Sequence, residues 1–223
     1  MKIGLVYTST TPELIELVHQ EVIKQLGKQI ELISYEDSSI LDEIRKHGYV
    51  TTAPAARLIS MFMEAAKDGA DAILNICSSV GEVADCAQDI GKYIGVPIVR
   101  IDEEMCREAV RCGVRIGVMA TLPTTLEPTK NTLKRVSREL NKKVELVDSL
   151  VDGAFGLDQD LFRSLLLEHA KEIKDDIDVL LLCQGSMAYC EEYLEEIIGI
   201  PVLSSPRFGA MALKNALKEK GLI

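Results

Sequence analysis

Two cysteines close apolar runs in stretches of sequence that resemble each other. Cys77 ends "ILNIC" and is followed by two serines, whereas Cys183 ends "VLLLC" and is followed by Gln184 and Gly185. A thiol between a buried strand and a helix lies near the positive end of the helix dipole, which lowers the pKa of the thiol toward neutrality. One such thiol on each side of a small molecule can remove a proton from one face and deliver a proton to the other. The pattern predicts acid–base chemistry that inverts a stereocentre without a cofactor.

Hydroxyl side chains cluster after the first cysteine and after the first apolar run of each half of the chain. They are Thr8, Ser9, Thr10, Ser78, Ser79, Thr121, Thr124 and Thr125, and Ser186 follows the second cysteine. Together with backbone N–H groups at helix N-termini, hydroxyls can hold a carboxylate and stabilise the negative charge that forms when a proton leaves carbon. Each of them can equally be an ordinary helix cap, so the residue type leaves both roles open.

Other chemistries have weaker support in the sequence. Cys86, Cys106, Cys112 and Cys190 lie inside helical patterns, and we interpret them as packing residues. No C-x-x-C or zinc-finger spacing occurs, so we expect no metal site. Ser186 lacks the elbow motif of serine nucleophiles, and no glycine-rich phosphate loop occurs. No histidine is placed as the partner base that covalent thiol catalysis needs.

The elements that must position these residues alternate between short apolar runs and longer amphipathic ones. Predicted strands cover 2–8, 30–36, 72–77, 97–102, 115–121, 143–149, 179–183 and 201–205. Predicted helices cover 12–26, 54–67, 82–94, 103–112, 125–140, 158–174, 189–198 and 207–219. Strands that are apolar throughout and followed by helices indicate parallel sheets covered on both faces. The predicted fold class is α/β.

The order of these motifs repeats along the chain. "IGLVYTSTTPE" (3–13) resembles "IGVMATLPTTLEP" (116–128), and "ILNIC…IGVPIV" (73–99) resembles "VLLLC…IGIPVL" (180–203). The duplication predicts two pseudo-symmetric lobes, each with a mostly parallel four-stranded sheet flanked by helices. Open parallel sheets bind ligands beyond the carboxyl ends of their strands. We therefore expect the active site in the cleft between the lobes, with a cysteine on each wall.

Composition limits the partners and the compartment. The net charge of −10 and the absence of Trp argue against binding to nucleic acid or to an anionic membrane, so an anionic substrate must be held by local donors. No stretch approaches the roughly 20 apolar residues of a membrane span, and the N-terminal apolar run is too short for a signal peptide. We expect a cytoplasmic protein with reduced thiols.

These residues resemble the cofactor-independent aspartate/glutamate/hydantoin racemase superfamily over essentially the whole chain. The resemblance implies that Cys77 and Cys183 are the catalytic acid–base pair and that no cofactor is needed. It also implies residues that bind a small anionic substrate: Thr8, Ser9, Ser78, Ser79, Thr121, Thr125, Gln184 and Gly185. The last helix returns to the first lobe in this family, which implies lobes of 1–98 with 208–223 and of 99–207. Relatives are often dimers or larger, so a homo-oligomer is compatible with the resemblance.

The substrate stays open at this point. Glutamate racemases typically have Asp-Ser after the first strand, Cys-Asn-Thr at the first cysteine and Cys-Thr-His at the second, whereas this chain has Thr8-Ser9, Cys77-Ser78-Ser79 and Cys183-Gln184-Gly185. We predict a racemase of a small amino acid of the aspartate or glutamate type. A hydantoin racemase, or an enzyme like maleate isomerases or arylmalonate decarboxylases, is the alternative. A non-enzymatic small-molecule binder suits the same two lobes but has no need of a thiol on both walls.

Overall fold

The strands of the computed structural model, which describes residues 1–223, form two separate four-stranded sheets in which every neighbouring pair is parallel. The chain divides into a first unit, Met1–Ile101 with Pro206–Ile223, and a second unit, Asp102–Ser205. Each unit contains one sheet. The predicted α/β class with two four-stranded parallel sheets is confirmed.

The first unit holds the first half of the elements and the last helix. Its strands are β1 (Lys2–Tyr7), β2 (Glu31–Glu36), β3 (Ala72–Ile76) and β4 (Ile98–Arg100), in the sheet order β2-β1-β3-β4. Its first four helices are α1 (Pro12–Leu26), α2 (Ser38–His47), α3 (Thr52–Lys67) and α4 (Gly81–Ile94).

The second unit repeats this arrangement. Its helices are α5 (Glu103–Cys112), α6 (Pro123–Glu139), α7 (Gln159–Ile173) and α8 (Glu191–Ile198). Its strands are β5 (Arg115–Ala120), β6 (Glu145–Leu150), β7 (Val179–Leu182) and β8 (Val202–Ser204), in the order β6-β5-β7-β8. The chain then continues into α9 (Ser205–Glu219), whose buried side chains Ala210, Leu213 and Leu217 pack with β1, β3 and α1 in the core of the first unit.

The likeness of the two sheets extends to single hydrogen bonds. Asp71 donates its N–H to the Lys2 carbonyl at 2.7 Å, and its carboxylate accepts the Lys2 N–H at 2.9 Å. Asp178 makes the same two bonds with Arg115, at 2.7 and 2.8 Å. In each unit an aspartate before the third strand therefore fixes the start of the first strand, which is one of the two inner strands of that sheet.

Local sequence explains the main helices. In α1, Thr11 accepts the Leu14 N–H at 3.2 Å as the N-cap, and Pro12 occupies the first helical turn, where its missing N–H costs nothing. Leu14, Val18 and Val22 recur every four residues and form the buried face. The predicted bounds of α1 and α5 match the structure. The sequence pattern does not predict α2, since only three of its ten residues are buried.

None of the nine α-helices combines the length and the apolar character that a membrane span requires.

Candidate active site

The central strands of the first sheet end side by side and bring one predicted group of residues together. Tyr7 of β1 pairs in register with Ile76 of β3, so Thr8 and Cys77 are the next residues beyond each strand. We call Tyr7–Ser9 together with Asn75–Gly81 the first carboxyl edge. A ligand held beyond the ends of these strands would meet this edge first.

Cys77 lies at a sharp change of backbone direction. The side chains of β3 are all buried, and Cys77 continues the extended conformation with φ −163° and ψ 116°. A 3₁₀ turn at Ser78–Val80 follows and leads directly into α4. Cys77 is half-buried, whereas Ser78 and Ser79 are each 5 % exposed. The cysteine therefore keeps contact with solvent, and the two hydroxyls line the interior of the turn.

Unsatisfied polar atoms mark the first carboxyl edge as a place for a ligand. The Tyr7 hydroxyl, Thr8 Oγ1 and Asn75 Oδ1 are buried and have no hydrogen-bond partner. Burial of such a group without a partner costs about 1–3 kcal/mol, and native structures rarely leave one without a reason. Burial, and then the charge of Glu36, raise the pKa of Tyr7 far above its usual range, so its phenol stays a neutral donor.

Tyr7 and Asn75 were missing from the sequence prediction. Each lies in an otherwise apolar strand that we interpret as core. The signal that could have found them is a polar group among the last two residues of a strand. Ser9, by contrast, was predicted and is half-buried at the same edge. The first edge therefore contains every site residue that the family resemblance implies in this half of the chain, whereas the Thr10 hydroxyl lies beyond it and donates to Glu36.

The second sheet presents an equivalent edge, which we call the second carboxyl edge (Ala120–Thr125 with Cys183–Gly185). The Cys183 N–H donates to the Met119 carbonyl at 2.9 Å, so Cys183 continues the β5–β7 ladder by one residue. Thr121 and Thr125 are buried, and the hydroxyl of Thr124 is buried without a partner. Gly185 is half-buried and begins a 3₁₀ turn that ends at Cys190.

The pKa of the Cys183 thiol differs from the prediction. Burial raises its pKa far above the usual range, the Thr129 hydroxyl lowers it in part, and the charges of Asp102 and Asp148 raise it further. The expectation that a helix dipole lowers this pKa is therefore wrong for Cys183. The physical reason is that burial of the thiol disfavours its charged form, while the nearest α-helix, α8, begins only at Glu191.

Gln184 joins the two loops of the second carboxyl edge. Its amide oxygen accepts the Thr121 backbone N–H at 2.7 Å, and its amide nitrogen donates to the Thr121 hydroxyl at 2.9 Å. Both residues are buried. The Gln184 side chain is thus already engaged within the protein, and its contribution is to orient Thr121.

Only two of the four remaining cysteines are packing residues. Cys106 and Cys190 are buried, as expected, but Cys86 and Cys112 are exposed because they face away from the core on α4 and α5. No group of three or more His, Cys, Asp or Glu side chains is arranged so that it could hold a metal ion.

A comparison with protein families decides what this arrangement belongs to. The model of the Asp/Glu/Hydantoin racemase family matches residues 3–213, which span both sheets and both cysteine loops. The chain belongs to the Asp/Glu/Hydantoin racemase family. It is therefore an enzyme of the racemase type, and the predicted family resemblance is confirmed.

Solved structures share the fold of this racemase-family chain at low identity. An allantoin racemase from Klebsiella pneumoniae is 14 % identical with a TM-score of 0.71, over 100 % of this chain and 89 % of that one. A glutamate racemase from Bacillus anthracis is 18 % identical with a TM-score of 0.74, over 99 % and 82 %. An aspartate racemase from Picrophilus torridus is 14 % identical with a TM-score of 0.67, over 99 % and 94 %. No curated protein matches the sequence of the chain.

Proposed function

We propose that this racemase-family chain is a cofactor-independent enzyme that inverts the α-carbon of a small amino acid of the aspartate or glutamate type. One observation carries the proposal: Cys77 and Cys183 each stand directly beyond the third strand of equivalent parallel sheets. A fold can repeat a packing residue, but a repeated thiol with polar turns beside it matches a reaction that needs an acid and a base.

In the proposed reaction, one cysteine thiolate takes the α-proton and the other cysteine delivers a proton from its own thiol to the opposite face. The electron pair released from carbon is held as an enediolate-like charge and then forms the new C–H bond, so no oxidant or reductant is needed. The raised pKa of Cys183 keeps it a protonated thiol in the free enzyme, which suits it as the donor in the first turnover. Both thiols must be reduced, as expected in the cytoplasm.

The remaining predicted residues have proposed binding roles. Thr8, Ser9, Ser78, Ser79, Thr121 and Thr125 supply neutral donors for a carboxylate and for the charge that develops in the transition state. Gln184 and Gly185 support these donors, since the Gln184 amide holds Thr121. The partnerless hydroxyls of Tyr7 and Thr8 are added to this set because a bound anion would satisfy them.

A second candidate substrate is a 5-substituted hydantoin. The proposed binding groups of both carboxyl edges are neutral hydroxyls and amides, which match the ring N–H and C=O groups of a hydantoin as well as a carboxylate. The likeness to a structure described as an allantoin racemase adds a reason to include such rings. Hydantoins therefore belong in the same assay.

A panel of single enantiomers tests the proposal. The purified protein, with a chelator present and without added pyridoxal phosphate, is incubated with each enantiomer of aspartate, glutamate, other amino acids and hydantoins, and circular dichroism follows the loss of optical activity. We expect decay with at least one small amino acid. Racemisation of hydantoins alone would select the second candidate, and no racemisation of either class would contradict the proposal.

Single-cysteine variants test the two-base mechanism. Cys77→Ala and Cys183→Ala should each lower racemisation by about 10²–10⁴-fold or more, because each removes one proton donor or acceptor. Each variant should still exchange the α-proton of one enantiomer with deuterium from solvent, and the two variants should prefer opposite enantiomers. Cys86→Ala, which removes an exposed cysteine of α4, should keep full activity. Full activity in the double variant would contradict the mechanism.

A further inference from the structure

A buried arginine lies within the core beneath the turn that follows Cys77. Arg100 in β4 is 1 % exposed and is the largest fully buried side chain of the protein. Its Nη1 donates to Asp85 Oδ2 of α4 at 2.7 Å. A guanidinium removed from water is costly unless it is paired, and an apolar residue at the same place in the strand would avoid that cost. The presence of a charge here therefore calls for a role beyond packing.

The register of the sheet places Arg100 beside Asn75, which holds the turn that follows Cys77. Asn75 pairs with Arg100 in the parallel β3–β4 ladder, so both side chains project from the same face. This face packs on α3 and α4, because Ile73 and Ile98, two residues earlier in each strand, belong to that part of the core. The Asn75 amide nitrogen donates to the Cys77 carbonyl at 3.0 Å. Two buried polar side chains thus underlie one turn.

The guanidinium also occupies the space where a side chain at residue 81 would lie. A Cβ atom on Gly81 would come within 2.2 Å of Arg100 Nη2 and 2.4 Å of its Cζ. Gly81 is buried and is the first residue of α4. The planar group therefore contacts the backbone of the turn directly, and the shape of the turn depends on both the glycine and the arginine.

The charge of Arg100 is opposite to what a helix N-terminus prefers. The first turn of an α-helix carries a partial positive charge and is stabilised by acidic groups, yet Arg100 brings a full positive charge against the first residue of α4. The two positive contributions add within the turn that begins at Cys77, where the acidic Glu82 of the first turn of α4 opposes them in part. Such a field stabilises negative charge there, whether on a thiolate or on a bound anion.

We propose that Arg100 is the positioning residue of Cys77, fixing the Cys77–Gly81 turn and supplying the positive charge that favours a thiolate at Cys77. Asp85 holds and partly neutralises the guanidinium, and Gly81 leaves room for it. The inference rests on the proposed role of Cys77, but its test needs no substrate.

The test measures the alkylation rate of Cys77 by iodoacetamide near neutral pH, read by mass spectrometry of the Cys77 peptide. Arg100→Met should slow alkylation by about tenfold, the effect of losing one nearby opposite charge. Asp85→Asn should accelerate it, because the guanidinium loses the carboxylate that neutralises it. Both variants break the same ion pair and both weaken the fold, so only an electrostatic role moves the two rates in opposite directions.

Three further variants complete the design. Arg100→Lys, which keeps the charge, should recover most of the rate. Gly81→Ala alone should slow alkylation, because the new methyl group displaces the Arg100 guanidinium. The same change made in the Arg100→Met variant should have little further effect, because no guanidinium is left to displace. Arg57→Met removes a half-exposed arginine from another ion pair of the same unit and should leave the alkylation rate of Cys77 unchanged. The exposed Cys112 is the internal control, and its alkylation rate should be the same in every variant.

The outcomes separate this inference from the proposed function. Equal slowing by Arg100→Met and Asp85→Asn, or no change in either, would overturn the role of Arg100 even if the cysteine variants abolish racemisation. Opposite changes would support it even if no tested amino acid or hydantoin is racemised.

Discussion

At the scale of single residues, the two motif cysteines have the same place in their sheets but different surroundings. Cys77 is half-buried and stands beside buried serines, whereas Cys183 is fully buried and near two aspartates that disfavour its thiolate. The proposed two-base reaction needs one thiolate and one thiol, and burial and the two aspartates favour the protonated thiol at Cys183.

The burial of Cys183 gives a direct chemical prediction. Iodoacetamide should modify Cys183 at least about tenfold more slowly than the exposed Cys86 near neutral pH, because alkylation needs an accessible thiolate and burial raises the Cys183 pKa. Quantitative mass spectrometry of the two peptides measures the ratio within one sample. Equal rates would show that Cys183 is open and ionised in solution.

Sequence reasoning could identify the cysteines but not their surroundings. The polar turns after Cys77 and Cys183 stand out because Ser78 and Gln184 interrupt apolar strands, and the duplication connects the two. The thiol environment is different: Cys183 is affected by Thr129, Asp102 and Asp148, which lie 35 or more residues away in the chain. The partnership of Gln184 with Thr121 likewise depends on strand pairing and not on local pattern.

At the scale of elements, the start of β5 depends on a single carboxylate. Asp178 accepts the N–H groups of Val114 and Arg115 at 2.9 and 2.8 Å, and the Arg115 guanidinium at 2.8 Å. The backbone and side-chain hydrogen bonds of Arg115, followed by the Val114 N–H, lower the pKa of Asp178 from 3.8 to about 2. The carboxylate thus stabilises the folded state only while it is ionised.

Acid should remove this stabilisation in a defined range. The folded-state pKa lies below the unfolded value, so the contribution is complete above about pH 4 and is lost as the pH falls toward about 2. Asp178→Asn should lower the urea midpoint at neutral pH, and the difference from the natural protein should shrink across that range. The exposed Asp176→Asn is the control and should show no such trend. A difference that is constant with pH would contradict the assignment.

The elements themselves were largely predictable because the apolar runs are long and regular. All eight strands were predicted, and α1 and α5 agree residue by residue with the structure. The exception, α2, has the sequence SSILDEIRKH and buries only Ile40, Leu41 and Ile44, which leaves too short an apolar stripe to recognise. The 3₁₀ turns after the cysteines, at Ser78–Val80 and Gly185–Cys190, are also outside the prediction, which places only α-helices between the strands.

At the scale of the whole molecule, the first unit is completed by a helix from the far end of the chain. Leu213 and Leu217 of α9 are fully buried in the core formed with β1 and α1. Gly209 lies so close to Ile101 that a Cβ atom would come within 2.8 Å of the Ile101 Cα. The helix α9 is therefore an integral part of the first unit.

Truncation of one buried side chain of α9 tests this view. Leu213→Ala should lower the free energy of unfolding by about 2–5 kcal/mol, the usual cost of a cavity in a packed core. Met211→Ala on the same helix, where the side chain is 43 % exposed, should change it by less than about 0.5 kcal/mol. Urea unfolding followed by far-ultraviolet circular dichroism measures both. Equal, small effects would mean that α9 is not a structural part of the unit.

The return of α9 also fixes the order in which the protein can mature on the ribosome. The second unit is one continuous stretch, Asp102–Ser205, whereas the first must wait for Pro206–Ile223. At about 5–20 residues per second, translation of the intervening stretch takes roughly 5–20 s. During that time the nascent first sheet lacks the helix that covers Ile3, Leu5 and Leu74. The first unit therefore completes its folding only after the second unit has been synthesised, and its apolar face stays uncovered until then.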